Sequence, residues 1–392
     1  MPEHVFLMRF IHSSDLQLGK AFGFFEPEVA TLLQDARQGS VRALGDAAMS
    51  VGASAVLIAG DVYDKQQISQ ITLAKPVEAM RAYAKLTWHL MPGNHDHLRE
   101  NGLWDRLRRM CLPDNVRLHV GEGPVLVGDN AGVPVFLLPA PLRHRTSSGD
   151  LTEYMDRAAT PEGSIRIGMA HGSIQGFGSE GDASNFVAPT RADSAGLAYL
   201  AMGDWHRQIK ITDRVWYSGT PEPDRFKLPP SSSGTLCNGG SALLVEVGGP
   251  RAIPSVVPVE TGRYRWHLLE RTVLEDAALD ALASELRSLE PDLSRAVVRL
   301  RIGGALSLAG RAVFEERIGE AVRAALCALR IDDQELMLEP TEGDLDAIDR
   351  SGFVRVAADR LRAMAADPAK ARLAGLALKR LFLEQARTQG SS

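Results

Sequence analysis

The sequence predicts an α/β fold in which sheets pack face to face with helices outside, followed by a smaller C-terminal α+β domain. In the first half of the chain, strand-like apolar runs alternate with amphipathic segments at residues 27–51 and 69–85, which indicates β-α-β units. Strand-like runs with shorter connections follow. Composition then changes over residues 248–261, where Gly and Pro indicate a linker. We therefore predict two domains, residues 1–260 and 261–392.

The second domain is predicted from a β-α-β-α-β order of strand-like and amphipathic segments, closed by helices at residues 352–365 and 368–389. Its charges are unevenly distributed. Residues 331–349 carry eight acidic and no basic residues, and residues 350–392 carry nine basic and three acidic ones. This asymmetry is consistent with a basic face for DNA or a partner, and equally with solvated helix surfaces.

Composition limits the possible classes of protein. A chain of 392 residues exceeds one average domain, and its net charge of −5 does not favour nucleic-acid binding, because duplex binders usually carry a basic surface. Cys111, Cys237 and Cys327 are isolated and odd in number, which argues against a disulfide framework and a Cys-zinc site. No apolar run is long enough to span a bilayer, and the N-terminal segment is too short for a signal peptide. We expect a cytoplasmic protein that does not enter a membrane.

Five short motifs that carry Asp, Asn, Gln and His follow strand-like runs in the first half of the chain. They are Asp15-Leu16-Gln17, Gly60-Asp61, Gly93-Asn94-His95-Asp96, Ala170-His171-Gly172 and Gly203-Asp204-Trp205-His206. Polar residues at consecutive strand ends converge on one rim of a sheet, where carboxylates and imidazoles can hold a pair of divalent ions. The ordered set therefore predicts a two-metal site for phosphoester hydrolysis.

The motif set resembles the calcineurin-like metallophosphoesterases, whose pattern is DxH, GD, GNHD, GH and GHxH. The segments FIHSSDLQLGK, LIAGDVYDK, LMPGNHDH and YSGTPEPDRF are similar to the SbcD-type branch of DNA-repair exonucleases. The resemblance covers residues 8–247 by motif. It implies a four-layer α-β-β-α sandwich, with the C-terminal domain acting as a cap beside the cleft.

The resemblance also implies a ligand set in which Asp61 bridges two ions. The ligands would be Asp15, Gln17, Asp61 and His206 for the first ion, and Asp61, Asn94, His171 and Asp204 for the second. His95 would assist the leaving group without binding metal, and Asp96 would orient His95 from behind. Asp64 is consistent with a further orienting group or with a solvent-facing turn.

Two positions depart from the family pattern, because Gln17 and Asp204 stand where histidines are usual. An oxygen-rich ligand set favours Mn²⁺, with Mg²⁺ as the alternative, over Zn²⁺. Gln17 could coordinate, could hydrogen-bond a metal-bound water, or could do neither. We expect the first ion to bind more weakly than the second.

Several polar residues outside the motifs have two interpretations. Arg143 and Arg145, on either side of His144, are candidates for phosphate-backbone contacts or for an exposed basic turn. His12 is expected to be structural, and Trp205 to pack. The glycine-rich stretch 172–186 is expected to be a loop at the edge of the site.

The resemblance implies a Mn²⁺-dependent phosphodiesterase, namely a DNA exo- or endonuclease subunit in which a metal-bridging hydroxide attacks the backbone. Its partners would be DNA, an SMC-like ATPase of the SbcC type and a second copy of the chain. The two terminal helices could dock the ATPase or pack on their own domain. Two alternatives are a phosphoesterase for small phosphodiesters or nucleotides, and a weakened DNA-processing scaffold.

Overall fold

The computed structural model describes residues 8–177, 185–226, 235–237, 239–338 and 352–390. The chain forms two compact units, Met1–Arg265 and Trp266–Ser392. In the described residues no helix is both long and apolar enough to cross a membrane.

The first unit alternates strands and helices and then becomes rich in strands. In chain order its elements are β1 (Met8–Ser13), α1 (Pro27–Ser50), β2 (Ala55–Ile58), α2 (Gln70–Arg81), β3 (Thr87–Leu90), α3 (Leu103–Arg108), β4 (Val116–Leu118), β5 (Val125–Asn130), β6 (Val133–Ala140), β7 (Ile165–His171), β8 (Ser173–Ile174), β9 (Phe186–Val187), α4 (Arg191–Ser194), β10 (Tyr199–Gly203), β11 (Gln208–Lys210), β12 (Val215–Tyr217), β13 (Thr235–Cys237), β14 (Ser241–Val247) and β15 (Ser255–Glu260).

These strands form two large sheets. The first has the order β15-β14-β1-β2-β3-β4, and the second has the order β13-β11-β12-β10-β7-β6-β5. Strands β1 to β4 are parallel, and so are β6, β7, β10 and β12. Because parallel strands end at the same edge, each sheet gathers the residues that follow its strands along one rim.

A hydrophobic core lies between the two sheets, where Phe10 and Leu57 of the first sheet share a buried cluster with Leu137 and Ile167 of the second. Burying a side chain of this size contributes about 1.5–3 kcal/mol. Helices α1 and α2 cover the other face of the first sheet. The outer face of the second sheet is covered by short pieces, namely the 3₁₀ turn Glu153–Asp156, α4 and the β8-β9 pair. The predicted α/β sandwich is confirmed, with a thin fourth layer.

Helix α1 forms because apolar residues recur at helical spacing and a proline occupies its first turn. Helix α2 begins after Ser69, whose side chain accepts a hydrogen bond from the Thr72 amide. It ends at Arg81, four residues earlier than the predicted limit, because Leu86 N donates to Tyr83 O and turns the chain toward β3.

Three buried histidines of the first unit stay neutral. His12, as predicted, is structural, and its Nδ1 lies 2.9 Å from the Tyr199 hydroxyl. His89 stacks on His119, with Nδ1 of the former 2.9 Å from Nε2 of the latter. Burial lowers the pKa of His12 and of His89 to about 3, and that of His119 to about 4.

We expect the protein to lose stability below pH 6.5 because of these histidines. In the unfolded chain each has a pKa of about 6.5, so the unfolded state binds more protons as the pH falls. As the pH falls below 6.5, each histidine lowers the free energy of unfolding by up to about 1.4 kcal/mol per pH unit. Above pH 6.5 the stability that comes from keeping these histidines neutral is fully present. Urea unfolding at pH 7 and pH 5 should show a shallower pH slope for His119→Gln. The exposed His144→Gln control should match wild type, and equal slopes in all three would contradict the assignment.

The second unit has a three-stranded sheet with the order β16-β17-β18 and helices on it. Its elements are β16 (Arg265–Val273), α5 (Ala278–Arg287), β17 (Ala296–Leu306), α6 (Leu308–Phe314, continued by a wider π-helical stretch over Glu315–Val322), β18 (Ala328–Leu338), α7 (Phe353–Ala365) and α8 (Ala371–Gly390). Leu286, Leu300, Phe314 and Ile318 share its core. The β-α-β-α-β order is as predicted. Of the predicted acidic run, residues 331–338 lie in β18 and residues 339–349 fall outside the described residues.

Candidate metal centre

The five motifs lie at the carboxyl ends of β1, β2, β3, β7 and β10. Backbone hydrogen bonds hold their loops against one another. Asp15 N donates to Gly60 O at 3.1 Å, and Gln17 N donates to Asp61 O at 2.9 Å. Gly172 N donates to Gly203 O at 3.2 Å in the same way. Asp204 N also donates to Oδ2 of Asp15 at 3.1 Å, and His95 N donates to Oδ1 of Asp61 at 2.9 Å, so hydrogen bonds link all five motif loops.

Four motif residues adopt left-handed backbone conformations, with φ of 54° at Asp15, 42° at Gln17, 53° at Asp61 and 100° at Asp204. Such a conformation costs roughly 1–2 kcal/mol for a residue with a Cβ, although Asp tolerates it better than most. Strain of this kind persists where the surroundings impose it, commonly at functional sites. These four backbone conformations are therefore unfavourable by themselves, and they direct the side chains toward the centre of the motif cluster.

Glycines next to the motif residues permit unusually close approach. A Cβ on Gly93 would lie 2.2 Å from Oδ1 of Asp61, and a Cβ on Gly60 would lie 2.3 Å from Nδ1 of His171. That imidazole donates from Nδ1 to Ala59 O at 2.8 Å. The hydrogen bond fixes the ring with Nε2 facing the carboxylates.

Asp61 lies at the middle of the centre, and its two carboxylate oxygens face different neighbours. Oδ1 accepts a hydrogen bond from His95 N at 2.9 Å and lies 3.5 Å from Nε2 of His171. Oδ2 lies 3.4 Å from Nε2 of Gln17. A carboxylate placed in this way could contact a cation on either side, which is what the predicted bridging role requires.

On one side of Asp61 is a group that we call the Asn94 half, formed by Asn94, His171 and Asp204. Asn94 Nδ2 donates to Oδ1 of Asp204 at 3.0 Å, and Nε2 of His171 lies 3.7 Å from that oxygen. The Asn94 half thus combines carboxylate, amide and imidazole groups.

On the other side is the Gln17 half, formed by Asp15, Gln17 and His206. Nε2 of His206 lies 3.7 Å from Oδ1 of Asp15 and 3.2 Å from Nε2 of Gln17. Across the two halves, one ligand atom each of Asp15, Asp61 and His171 lies within 4.8 Å of the others. The structure therefore brings together every residue that was predicted as a metal ligand.

The residues fit a bound cation, because the centre contains buried polar atoms without hydrogen-bond partners. These atoms are Oδ1 of Asp15, Oδ1 of Asn94 and Nε2 of His171. An unsatisfied buried polar atom costs about 1–3 kcal/mol, and more when it is charged. Coordination to a divalent cation would satisfy all three. Asp15, Asp61 and His171 therefore form a candidate metal site.

Electrostatics in the metal-free protein lead to the same conclusion. Burial by itself lowers the pKa of His171, but the carboxylates of Asp61, Asp15 and Asp204 outweigh burial and raise it to about 9. Burial is also the main reason why the pKa of Asp204 is raised. The metal-free centre thus retains protons that a cation would displace.

The role of Gln17 as a ligand stays a prediction, and the structure shows which groups its amide contacts. Its Oε1 accepts a hydrogen bond from Lys20 Nζ at 3.0 Å, so its Nε2 faces Asp61 and His206. The centre therefore meets an amide donor and not a carbonyl oxygen. The reason is local, because the Lys20 ammonium requires an acceptor and Gln17 supplies it.

The structure corrects the predicted role of Asp96. Its carboxylate accepts hydrogen bonds from Gly93 N at 2.7 Å and Tyr63 N at 3.1 Å. It therefore braces the motif loop and does not orient the ring of His95. That ring is oriented by the backbone of Asp64, whose carbonyl oxygen lies 2.8 Å from its Nδ1. Burial raises the pKa of Asp96 to about 8, and the nearby Asp61 carboxylate contributes.

Sequence reasoning missed Asp224, which supports His206. Nδ1 of His206 lies 2.8 Å from Oδ2 of Asp224, and Lys20 Nζ contacts the same oxygen. Burial by itself raises the pKa of Asp224, but His206 and the Arg37 guanidinium outweigh it and hold the pKa well below its usual range. An acidic residue inside the otherwise loop-like PEPDRF segment was the available signal.

Arg37 is a second residue that sequence reasoning missed. It is 1 % exposed and donates to the backbone carbonyl oxygens of Asp15, Leu16 and Glu222. It also lies 3.6 Å from the Asp224 carboxylate. Arg37 lies on the inner face of α1, at a position where the helical pattern predicts an apolar residue. A charged residue at such a position was the sequence signal that it has a specific buried partner.

The predicted substrate residues Arg143 and Arg145 are both exposed. Arg143 Nη2 lies 3.4 Å from Glu122, and the carbonyl oxygen of Arg145 accepts a hydrogen bond from Asn185. Their role in substrate binding stays a prediction. Trp205 packs against Phe177, as expected, with ring centroids 5.6 Å apart. Within the predicted loop 172–186, residues 178–184 lie outside the described part of the chain.

The sequence profile of the calcineurin-like phosphoesterase family matches residues 8–208, the region that contains all five motifs. The chain belongs to this family. Membership implies a metal-dependent phosphoester hydrolase, which agrees with the geometry at Asp15, Asp61 and His171.

A distant relative of this calcineurin-like phosphoesterase is a bacterial protein. The chain is 26 % identical over 234 residues to the uncharacterized metallophosphoesterase YhaO of Bacillus subtilis (strain 168). The match covers 56 % of this chain and 54 % of YhaO, so the chain spans about half the length of that relative.

Solved structures that are similar to this chain include TT1561 of Thermus thermophilus, with a TM-score of 0.40 and 12 % identity over 65 % of this chain and 99 % of the other. They also include the purple acid phosphatase PPD1 from yellow lupin (Lupinus luteus) seeds, with a TM-score of 0.43 and 10 % identity over 65 % and 52 % of the two chains.

Proposed function

We propose that this calcineurin-like phosphoesterase is a Mn²⁺-dependent phosphodiesterase that cleaves the DNA backbone as a nuclease subunit in DNA repair. The observation that carries the proposal is the convergence of unpartnered buried ligand atoms from Asp15, Asn94 and His171 around Asp61, with His95 beside them. The similarity of the motif sequences to those of SbcD-type exonucleases supports DNA as the substrate.

The donor set supports the choice of metal. Asp15, Asp61, Asp204 and the Asn94 amide offer oxygen, and His171 and His206 offer nitrogen. Hard oxygen ligands favour Mn²⁺ and Mg²⁺ over Zn²⁺. Divalent ions bound here would activate a water molecule and stabilise negative charge that develops on phosphorus.

We propose that His95 acts on the substrate and does not bind the metal. Its side chain is 35 % exposed, and Nε2 lies 4.0 Å from Oδ2 of Asp61. The contact between Nδ1 and the Asp64 carbonyl oxygen fixes the ring and leaves Nε2 directed at the reaction space. From there it can donate a proton or a hydrogen bond to the leaving oxygen.

The second unit supports a role in a larger complex. Phe353 of α7 and Leu373 of α8 are 87 % and 72 % exposed, although both helices also pack together around Ala358 and Leu378. We propose that the exposed side chains dock an SMC-like ATPase, and that the chain forms a homodimer. The free thiols of Cys111 and Cys327 fit a cytoplasmic location.

A second candidate function is hydrolysis of small phosphodiesters or nucleotides, which the net charge of −5 favours. In this case Arg143 and Arg145 would not contact a DNA backbone, and the metal centre would act in the same way. The two functions differ only in substrate and can be separated by direct assay.

The test is cleavage of end-labelled single- and double-stranded DNA and of bis(p-nitrophenyl) phosphate by metal-stripped protein after addition of Mn²⁺, Mg²⁺ or Zn²⁺. We expect Mn²⁺-dependent DNA cleavage that falls by about 10²–10⁴-fold in His95→Ala, with bound Mn²⁺ unchanged. The exposed His144→Ala control should match wild type. Cleavage of the small diester alone would favour the second candidate, and metal binding without any cleavage would indicate a scaffold.

A further inference from the structure

The Gln17 half of the centre is part of a closed ring of polar contacts. Lys20 Nζ donates to Oε1 of Gln17 at 3.0 Å, and Nε2 of Gln17 lies 3.2 Å from Nε2 of His206. Nδ1 of His206 lies 2.8 Å from Oδ2 of Asp224, which in turn contacts Lys20 Nζ. The four side chains of the ring therefore lie within polar contact distance of one another.

The orientation of the Gln17 amide is fixed by this ring. Exchanging its oxygen and nitrogen would place an NH₂ group against the Lys20 ammonium, where two donors would face each other. The same exchange would remove the donor that Asp61 and His206 now receive. An oxygen directed at the centre is therefore available only if the ammonium of Lys20 moves away.

The two halves differ in what they leave for a cation. In the Asn94 half, Oδ1 of Asn94 and Nε2 of His171 are buried without hydrogen-bond partners. In the Gln17 half, Oδ1 of Asp15 is also buried without a hydrogen-bond partner, but Nε2 of His206 faces the Gln17 amide nitrogen at 3.2 Å, so Gln17 presents an NH₂ group where a ligand oxygen would be needed. A cation there would also have to bind close to the positive charge of Lys20, which opposes it electrostatically.

We propose that the centre binds one divalent ion tightly, in the Asn94 half together with Asp61, and that the ring of Lys20, Gln17, His206 and Asp224 replaces the second ion. The inference deepens the proposed function and rests on it in one respect, namely that the centre binds a divalent cation. The Lys20 ammonium then supplies fixed positive charge beside the ion, and Gln17 carries a hydrogen bond from it toward Asp61.

The experiment measures bound Mn²⁺ per chain by elemental analysis after equilibrium dialysis at low micromolar Mn²⁺, together with the electron paramagnetic resonance spectrum. Wild type should bind one ion and give the spectrum of an isolated Mn²⁺. The double variant Gln17→His with Lys20→Met should bind two ions with exchange coupling, because it restores a ligand and removes the opposing charge. We expect it to tighten the second ion by about 10–100-fold.

Lys210→Met is a matched control, because Lys210 is also paired with an aspartate, Asp213, in a surface turn. It should bind one ion, and Asn94→Ala should lose that ion. Two ions bound to wild type with similar affinity and a coupled spectrum would overturn the inference and leave the proposed function intact. No bound Mn²⁺ would overturn both. A folded double variant that still binds one ion would overturn the role given to the ring.

Discussion

An Asp61→Asn variant should lose its bound metal ion and its phosphoesterase activity together. The Asp61 carboxylate faces His171 with one oxygen and Gln17 with the other, so both halves of the centre depend on it. Removing the charge takes away a ligand that contributes several kcal/mol of transition-state stabilisation through the metal. At about 1.4 kcal/mol for each factor of ten, kcat/KM should fall by roughly 10³-fold or more.

The same variant should fold normally. Asn has the shape of Asp and tolerates the left-handed backbone found at this position, where φ is 53°. Replacing the carboxylate removes its repulsion from Asp15 and Asp204 and also its attraction for His171, so the metal-free variant should melt close to metal-free wild type. Elemental analysis, kcat/KM and a thermal melt test these three expectations.

Asp64→Asn is the control for this prediction, because Asp64 serves the centre through its backbone carbonyl oxygen. It should retain the ion and most of the activity. The assignment of Asp61 to the middle of the centre would be wrong if Asp61→Asn retained the ion and kept kcat/KM within a factor of about ten of wild type.

An Arg37→Met variant should be destabilised by about 3–5 kcal/mol, the usual cost of leaving one partner of a buried ion pair alone. The substitution removes the cation 3.6 Å from Asp224 and the donors to the carbonyl oxygens of Asp15 and Leu16. A domain is stable by only about 5–15 kcal/mol, so this loss is a large part of the total.

Urea unfolding of Arg37→Met at pH 7 measures this effect. Arg42→Met on the exposed side of the same helix is the control and should change the free energy of unfolding by less than about 0.5 kcal/mol. A loss below about 1 kcal/mol in Arg37→Met would show that the buried guanidinium does not hold the loop in the way its contacts indicate.

Most of the rim could be predicted from the sequence because its geometry follows from one rule. Apolar runs end just before Asp15, Asp61 and His171, and parallel strands deliver such residues to a common edge. The α/β sandwich followed from the same alternation of strands and helices. Neither conclusion required knowledge of a side-chain conformation.

What could not be predicted depends on side-chain direction and on contacts distant in sequence. Asp96 follows His95, yet its carboxylate turns back to the amides of Gly93 and Tyr63. Lys20 and Asp224 are 204 positions apart, and no periodicity connects them. The Gln17 amide takes its direction from Lys20, which Asp224 holds in place, so comparison of the short motifs could not predict that direction.

The order of strands at the rim has a consequence for how the molecule folds. Asn94 and Asp204, which belong to the half that binds the ion, meet across 110 positions of chain, and Asp204 directly follows β10, which pairs in parallel with β7. Non-local parallel pairing is slow, because loop-closure entropy is lost before contacts compensate for it. The centre therefore assembles only after most of the first unit has folded, so a partly made chain is unable to bind the ion and is inactive.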